Sequence, residues 1–443
     1  MGITCTGKSP WIGPGESPCF DKYGNEQEVR GIQTRAGSLW YSINTSAIKV
    51  PKWLHPVNIQ LEDEKNGEEL RGAINTGRKG NQSWEIIWTF IESQLTDVKK
   101  QVLEQRKRDG VPYSDEDVKS EIIEKLDEIF SDTIDEEIPN QIDILNQEFD
   151  DLMKYEDTTG AYFENDFQLR TSEIDKNKTI FKYLETVKLV NRITTITALT
   201  GFTRDKFPDL INDDNDAKCY IASQAHRETE QWLPGVQSKG EGIFISLNEE
   251  EFSKLRTNEK LMKRCKAIIK SFAIHTAPND EKKQKKIKDM FDEKFILLHT
   301  LSHLIIKSVV KEAGYEEPSL KERIYWDEKN RNGKNRNGIL IYAAGSSEGS
   351  LGGLVRLGQS KLFERVLKNA VDKSQYCSRD PICGDADPER ESASTQGGKA
   401  HQINGSSCHS CCFVSETSCE YFNQLLDRWV VNNPDEGFFK DFL

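Results

Sequence analysis

The 443-residue sequence has no long apolar run. Its longest mostly apolar stretch, residues 295–310, is interrupted by His299, Ser302, His303 and Lys307, and is too short and too polar to span a bilayer. The N-terminal residues lack the charged-then-apolar pattern of an export signal. We therefore expect a cytoplasmic protein without a membrane partner, in a compartment where thiols stay reduced.

Positive charge is also scarce. Lysine and arginine total 60 against 73 aspartates and glutamates, which gives a formal net charge of −13. This balance excludes a protein that coats nucleic acid through its overall charge, because phosphate binding needs lysines and arginines. DNA could still be contacted through local basic stretches or beside a basic partner. The residues that we expect to make such contacts are Lys282, Lys283, Lys285, Lys286, Arg331 and Arg336.

No convincing nucleotide-binding or nucleophile motif is present. Residues 2–9 match the phosphate-binding loop pattern letter by letter, but that loop needs a strand before it and a helix after it. Here only Met1 precedes the match, and the segment Gly13-Pro14-Gly15 stops any helix that starts after it. No Asp-Glu-Ala-Asp-type box follows to hold magnesium. We therefore predict that this chain does not bind ATP.

The order of local patterns predicts an α+β / α/β multidomain protein, and the length predicts about two to four domains. We divide the chain into a β-rich N-terminal module (1–60), a helical, acidic insertion (61–190), a mixed α/β middle region (191–290) and a C-terminal α/β domain (291–443). Within the last domain we expect a helix over 291–313 capped by Gly314, a strand over 338–344, a glycine-rich turn and a helix over 354–371.

Six of the ten cysteines lie between positions 377 and 419. Such clustering in a reducing compartment indicates a metal site rather than disulfides, and Cys408 and Cys411 form a C-x2-C knuckle. We expect a closed, tetrahedral, structural zinc site formed by Cys408, Cys411 and Cys419, with Cys383 as the fourth ligand and Cys377 as its rival. We expect Cys419 to open a helix that runs through Val430.

Three other features leave alternatives open. Cys5 and Cys19 could be half of a second metal site in a truncated N-terminal module, or plain cysteines. His299 and His303 are four residues apart on one predicted helix, a spacing that can hold zinc, but hydrogen-bonded core histidines are the favoured interpretation. The glycine-rich segment could bind a phosphate or form a structural turn. Its candidate residues are Ser346, Ser347, Gly349 and Ser350.

Several segments together resemble the C-terminal domain of DrmB proteins from the DISARM anti-phage system. They are residues 297–305 (LLHTLSHLI), 340–355 (LIYAAGSSEGSLGGLV), 377–383 (CSRDPIC) and 408–419 (CHSCCFVSETSC). The same domain forms the C-terminal end of MrfA-type repair helicases, where it binds zinc. Weaker likeness extends upstream, to residues 201–204 and 232–235. The chain looks shorter at its N-terminus than members of this family, and its helical, acidic region looks expanded.

The resemblance implies an accessory role in anti-phage DNA defence. DrmB-like proteins pair with DrmA-like superfamily 2 helicases and support their binding and unwinding of DNA, and no chemistry is assigned to the DrmB-like subunit. We therefore expect a non-catalytic, zinc-binding subunit of a protein complex that reaches DNA through its helicase partner. The alternative is a metal-dependent nuclease or hydrolase centred on the glycine-rich loop, His299 and His303.

Overall fold

A computed structural model describes most of the chain. The described residues are 41–50, 55–63, 66–108, 110–130, 141–154, 166–178, 180–203, 226–227, 230–231, 233–326, 336–344, 352–384 and 403–442. The predicted half-site at Cys5 and Cys19, the expected DNA contact at Arg331 and the candidate loop residues between 345 and 351 lie outside these ranges.

The described strands form one large sheet and one small hairpin. They are β1 (Tyr41–Ile48), β2 (Phe167–Thr171), β3 (Leu184–Thr203), β4 (His226–Arg227), β5 (Glu230–Gln231), β6 (Gly235–Leu247), β7 (Leu320–Trp326) and β8 (Asn337–Ala344). The large sheet has the order β1-β3-β6-β8-β7, all neighbours are antiparallel, and β2 also pairs with the long strand β3. Strands β4 and β5 pair with each other.

Helices surround this sheet. The described helices are α1 (Pro56–Glu62), α2 (Gly67–Lys79), α3 (Trp84–Ile91), α4 (Thr96–Arg108), α5 (Asp115–Phe130), α6 (Gln141–Lys154), α7 (Glu249–Arg256), α8 (Glu259–Thr276), α9 (Glu281–Met290), α10 (Glu293–Ala313), α11 (Gly353–Leu357), α12 (Ser360–Lys373) and α13 (Arg428–Asn432). The mixed helix-and-sheet class is as predicted. No helix in the described part of the chain combines the length and apolarity needed to cross a bilayer.

The sheet is curled, so that its two edge strands approach each other. Arg323 on β7 donates to the Ser46 hydroxyl on β1 across 2.8 Å, although β1 and β7 lie at opposite ends of the strand order. Helix α6 fills the concave side, where its Phe149 packs edge-on against Phe244 of β6. Glu148 on α6 pairs with Arg323 at 2.6 Å, and both side chains are buried. Part of the helical, acidic range 61–190 thus belongs to the core of the sheet.

The remaining acidic helices have a core of their own. Helices α1 to α5 bury one apolar cluster that includes Leu70, Ile91 and Leu126, separate from the two clusters on either side of the sheet. The large sheet takes strands from all four ranges into which the sequence was divided, because β2 and the start of β3 lie within 61–190. The proposed domain boundaries stay a prediction.

Helix α10 is the central element of the convex side. It begins at Glu293 because the Asp292 carboxylate accepts the Phe295 backbone N–H at 3.0 Å. It ends at Gly314, whose φ of 73° is the left-handed conformation that favours glycine. Fifteen of its 21 residues are buried, against the sheet, α8, α12 and the C-terminal segment. The predicted helix and its cap are confirmed.

Two predicted helices differ from the structure. The helix expected over 354–371 is divided into α11 and α12 at Gly358, where a Cβ atom would lie 2.3 Å from the Leu189 side chain on the sheet. The helix expected to start at Cys419 is reduced to the short α13. Phe422, Asn423 and Leu425 have φ values of 52°, 56° and 58°, which a right-handed helix cannot accommodate.

Candidate metal centre

Four cysteines converge between the end of α12 and the C-terminal segment. This four-thiol group consists of Cys377, Cys383, Cys408 and Cys411, whose sulfur atoms all lie within 4.8 Å of one another. The Cys377 and Cys408 sulfurs are 3.4 Å apart, and Cys408 and Cys411 are separated by 3.7 Å. Cys383 lies 3.8 Å from Cys411. The C-x5-C and C-x2-C pairs therefore face each other, although 24 residues separate them in the sequence.

The geometry of the four-thiol group fits a tetrahedral zinc ion. With Zn–S bonds of ~2.3 Å, the sulfurs of such a site lie about 3.8 Å apart. The observed separations match that value and are much too long for a disulfide, and all four thiols are free. Each cysteine is at most 9% exposed, which leaves no open position for water or substrate. A closed site of this kind is structural rather than catalytic.

Charged and backbone groups support the four-thiol group. The Asp380 carboxylate accepts the Cys377 backbone N–H at 2.8 Å, and the Arg379 backbone N–H faces the Cys377 sulfur at 3.4 Å. Arg428 pairs with Asp380 at 2.6 Å and donates to the carbonyl oxygens of Ser374 and Gln375. Such outer contacts fix the orientation of metal ligands and tune their affinity.

The thiols differ in how readily they ionise. Burial opposes ionisation of Cys408, but hydrogen bonds from Cys377 and from the backbone of Ser410 and Cys411 lower its pKa to about 7. The pKa of Cys383 is raised by burial and by the neighbouring Cys411. A divalent cation would favour ionisation of all four thiols, because it stabilises four adjacent thiolates at once.

Cys419 lies elsewhere. The structure places it in a second group, the buried mixed group, which consists of His299, His303, Glu322 and Cys419 with ligand atoms within 4.8 Å of one another. The ligand set that the geometry favours therefore has Cys377 in place of the expected Cys419. The left-handed residues after Cys419 turn the chain away from a helix, and this turn directs the thiol into the core beside α10. Cys412 is buried but joins neither group, and His409 is exposed.

The buried mixed group joins three elements. His299 and His303 come from successive turns of α10, Glu322 from β7 and Cys419 from the C-terminal segment. Glu322 Oε1 lies 3.2 Å from His299 Nε2 and 3.1 Å from His303 Nε2, and His299 Nε2 lies 3.2 Å from the Cys419 sulfur. Burial alone would raise the pKa of Glu322, but the two histidine rings hold it well below its usual range.

Sequence reasoning missed Glu322. Its only signal was the adjacent charges of Glu322 and Arg323 inside an otherwise β-forming strand, and neither is exposed in the structure. Each has a different partner on a different face of the sheet: Glu322 contacts α10 and Arg323 contacts α6. These partners lie 19 and 175 residues away in sequence, so local spacing could not reveal them.

The basic residues predicted to contact DNA lie partly on the surface and partly in the interior. Lys282, Lys285 and Lys286 on α9 are exposed, and Lys283 is partly exposed. Arg336 is only 5% exposed and pairs with Asp150 at 3.3 Å, so the structure does not support a DNA contact there. The preceding helix α8 adds an exposed stripe that sequence reasoning overlooked, and α8 packs against α9. The stripe consists of Lys263, Lys266 and Lys270.

Comparison with known proteins agrees with this geometry. Residues 301–412 match the family described as the MrfA Zn-binding domain. The chain is 34% identical over 269 residues to the DISARM protein DrmB of Bacillus paralicheniformis. That match covers 59% of this chain and 44% of the relative, so the chain spans less than half the length of the protein it matches. The resemblance to DrmB and the expectation of zinc are confirmed.

Proposed function

We propose that this chain is a non-catalytic subunit of a DISARM-type anti-phage defence system. In this proposal it binds a DrmA-like superfamily 2 helicase and helps that helicase to engage and unwind DNA. The observation that carries the proposal is the similarity to DISARM protein DrmB, which extends well beyond the zinc-binding domain. The free thiols of the four-thiol group fit a reducing, cytoplasmic location.

The closed form of both ligand groups supports a role without chemistry. A catalytic metal keeps one position for water or substrate, whereas the four thiols are nearly buried and surround one point. The hydrolase alternative needs His299 and His303 to meet a substrate. Both side chains are 0% exposed within α10, and both contact Glu322. This burial favours the accessory role over the hydrolase.

The α8–α9 hairpin is the DNA-facing surface in this proposal. Exposed lysines lie along both helices, on a chain whose overall charge is −13. Contacts of this kind hold the phosphate backbone and carry no sequence information. Because the net charge of the chain is −13, the isolated chain should bind DNA feebly, and the helicase would supply most of the affinity.

Co-purification tests the proposal. The full-length tagged chain is expressed with an untagged DrmA-like helicase, and the captured material is separated by size-exclusion chromatography in the presence of nuclease. We expect a complex of the two proteins that survives removal of nucleic acid. An isolated chain that cleaves DNA in the presence of a divalent metal, or a helicase that never accompanies it, would contradict the proposal.

A further inference from the structure

We propose that the buried mixed group is a second metal site, which holds a zinc ion in a structural role. Its four donors are His299 Nε2, His303 Nε2, a Glu322 carboxylate oxygen and the Cys419 sulfur. This site shares no residue with the four-thiol group, and two of its residues, His299 and Cys419, lie outside the range that matches the zinc-binding family.

The hydrogen-bond directions at His303 require a proton or a metal ion between its Nε2 atom and Glu322. His303 Nδ1 lies 3.0 Å from the Cys412 carbonyl oxygen, which can only accept, so Nδ1 carries the ring proton. In a neutral ring Nε2 then has a lone pair, yet it faces Glu322 Oε1 at 3.1 Å. Two acceptors do not hold each other at this distance, so either an extra proton or a metal ion must lie between them.

The surroundings of Cys419 favour the metal ion. The Cys419 sulfur accepts the backbone N–H groups of Tyr421 and Asn423, each at 3.3 Å, as thiolate ligands do. With an ion bound, a thiolate and a carboxylate would share a site whose residues are at most 3% exposed. Two negative ligands and two neutral imidazoles balance the charge of one divalent ion, and buried charge without such compensation is costly.

The distances and the outer contacts fit the same ion. Tetrahedral bonds of ~2.0–2.3 Å place nitrogen, oxygen and sulfur donors about 3.3–3.8 Å apart. Three of the separations between these donors are 3.1 to 3.2 Å, just below this range. The bond from His303 Nδ1 to a backbone carbonyl is the usual support of a histidine ligand. Such a mixed nitrogen, oxygen and sulfur set in a closed tetrahedron suits zinc.

X-ray absorption at the zinc edge tests this proposal on the unaltered, full-length chain, purified under reducing conditions after expression with added zinc. We expect two zinc ions per chain and an average shell of about 2.5 sulfur and 1.5 nitrogen or oxygen neighbours per zinc, which combines one four-thiol site with one mixed site. One zinc per chain in an all-sulfur shell would overturn the proposal, and so would two zinc ions with sulfur neighbours only.

A pair of cysteine variants locates the ion. Cys419→Ala should reduce the zinc content from two to one and leave an all-sulfur shell. Cys265→Ala is the matched control, because Cys265 is an equally buried thiol in neither group, and it should keep both ions. Retention of two ions in soluble Cys419→Ala would contradict the assignment. If Cys419→Ala does not fold, the spectrum of the unaltered chain still decides.

Discussion

The Arg428 guanidinium lies 2.6 Å from the Asp380 carboxylate, and this pair links helix α13 to the loop that carries Cys377 and Cys383. Arg428 also donates to the carbonyl oxygens of Ser374 and Gln375, at the end of α12. One side chain thus fastens the C-terminal helix α13 to the segment that supplies Cys377 and Cys383. It also places a positive charge near a site that becomes negative when four thiolates bind one divalent ion.

Replacement of Arg428 should weaken zinc binding without removing a ligand. Arg428→Gln removes the charge and the pair with Asp380, and removal of such an outer interaction typically costs about 10–100-fold in metal affinity. Competition with a chromophoric chelator measures the change. Arg379→Gln is the matched control, because its side chain is exposed on the same loop. Equal affinities of the two variants would refute this role for Arg428.

Adjacent cysteines offer a sharper test of the ligand set. Cys411 belongs to the four-thiol group, whereas its neighbour Cys412 is also buried but belongs to neither group. Cys411→Ala should lose one zinc ion and several kcal/mol of stability, because the binding energy of a structural ion is folding energy. Cys412→Ala should keep its zinc and lose about 1 kcal/mol through packing. Metal analysis and urea unfolding of both variants measure these changes. Zinc loss in Cys412→Ala together with zinc retention in Cys411→Ala would contradict the assignment.

Local sequence patterns predicted helix α10 well. The apolar spacing and Gly314 lie within the helix or beside it, so no distant contact is needed to recognise them. The zinc prediction was sound for a similar reason, since a crowded set of cysteines in a reducing compartment has few other uses.

The identity of the ligands could not be read from spacing. Cys377 lies 31 residues before Cys408 and Cys419 lies eight positions after Cys411, and only the fold decides which one faces the knuckle. The left-handed turn at Phe422, Asn423 and Leu425 carries no glycine, so the sequence indicated a helix there. The pairing of Glu322 with α10 depends on how β7 packs, which is a tertiary contact.

The cap of α10 should make stability depend on pH. Burial and the neighbouring Glu293 raise the pKa of Asp292 from 3.8 to about 6. The native state therefore binds the Asp292 proton more tightly than the unfolded chain, and this residue's contribution to stability is lost as the pH rises from about 4 to about 6. Asp292→Asn keeps an acceptor for the Phe295 N–H but cannot ionise.

The Asp292→Asn variant should therefore have a higher free energy of unfolding than the unaltered chain, by an amount that grows with pH. The difference should reach at most ~3 kcal/mol near pH 7, since each pKa unit corresponds to ~1.4 kcal/mol. The side chain is 13% exposed, so solvent should reduce that figure. Urea unfolding of both proteins at several pH values between 4 and 7 measures the difference, in which contributions common to both proteins cancel. A difference that does not change with pH would show that Asp292 does not titrate in this range.

The lysine stripe on α8 should control the salt dependence of DNA binding by the helicase complex. The test variant replaces Lys263, Lys266 and Lys270 with glutamine. Replacement of each lysine that binds a phosphate should reduce the slope of log binding constant against log salt concentration by about 0.9 on duplex DNA. The binding constant should fall by a similar factor for all DNA sequences. Fluorescence anisotropy over a range of salt concentrations gives the slope.

A control with the same change in charge separates local binding from net charge. It replaces three exposed lysines of the acidic insertion, Lys79, Lys100 and Lys107. This variant should bind DNA with the slope of the unaltered complex. If both triple variants weaken DNA binding equally, the effect comes from overall charge, and the α8 surface does not touch the DNA.

The most direct test of the accessory role is DNA unwinding by a DrmA-like helicase, measured with and without this chain and compared with ATP hydrolysis by the chain alone. We predict that the zinc-loaded chain increases unwinding, that Cys411→Ala fails to do so while Cys412→Ala succeeds, and that the chain alone hydrolyses no ATP. Unwinding that is unchanged by the zinc-loaded chain, or ATP hydrolysis by the chain itself, would contradict the account.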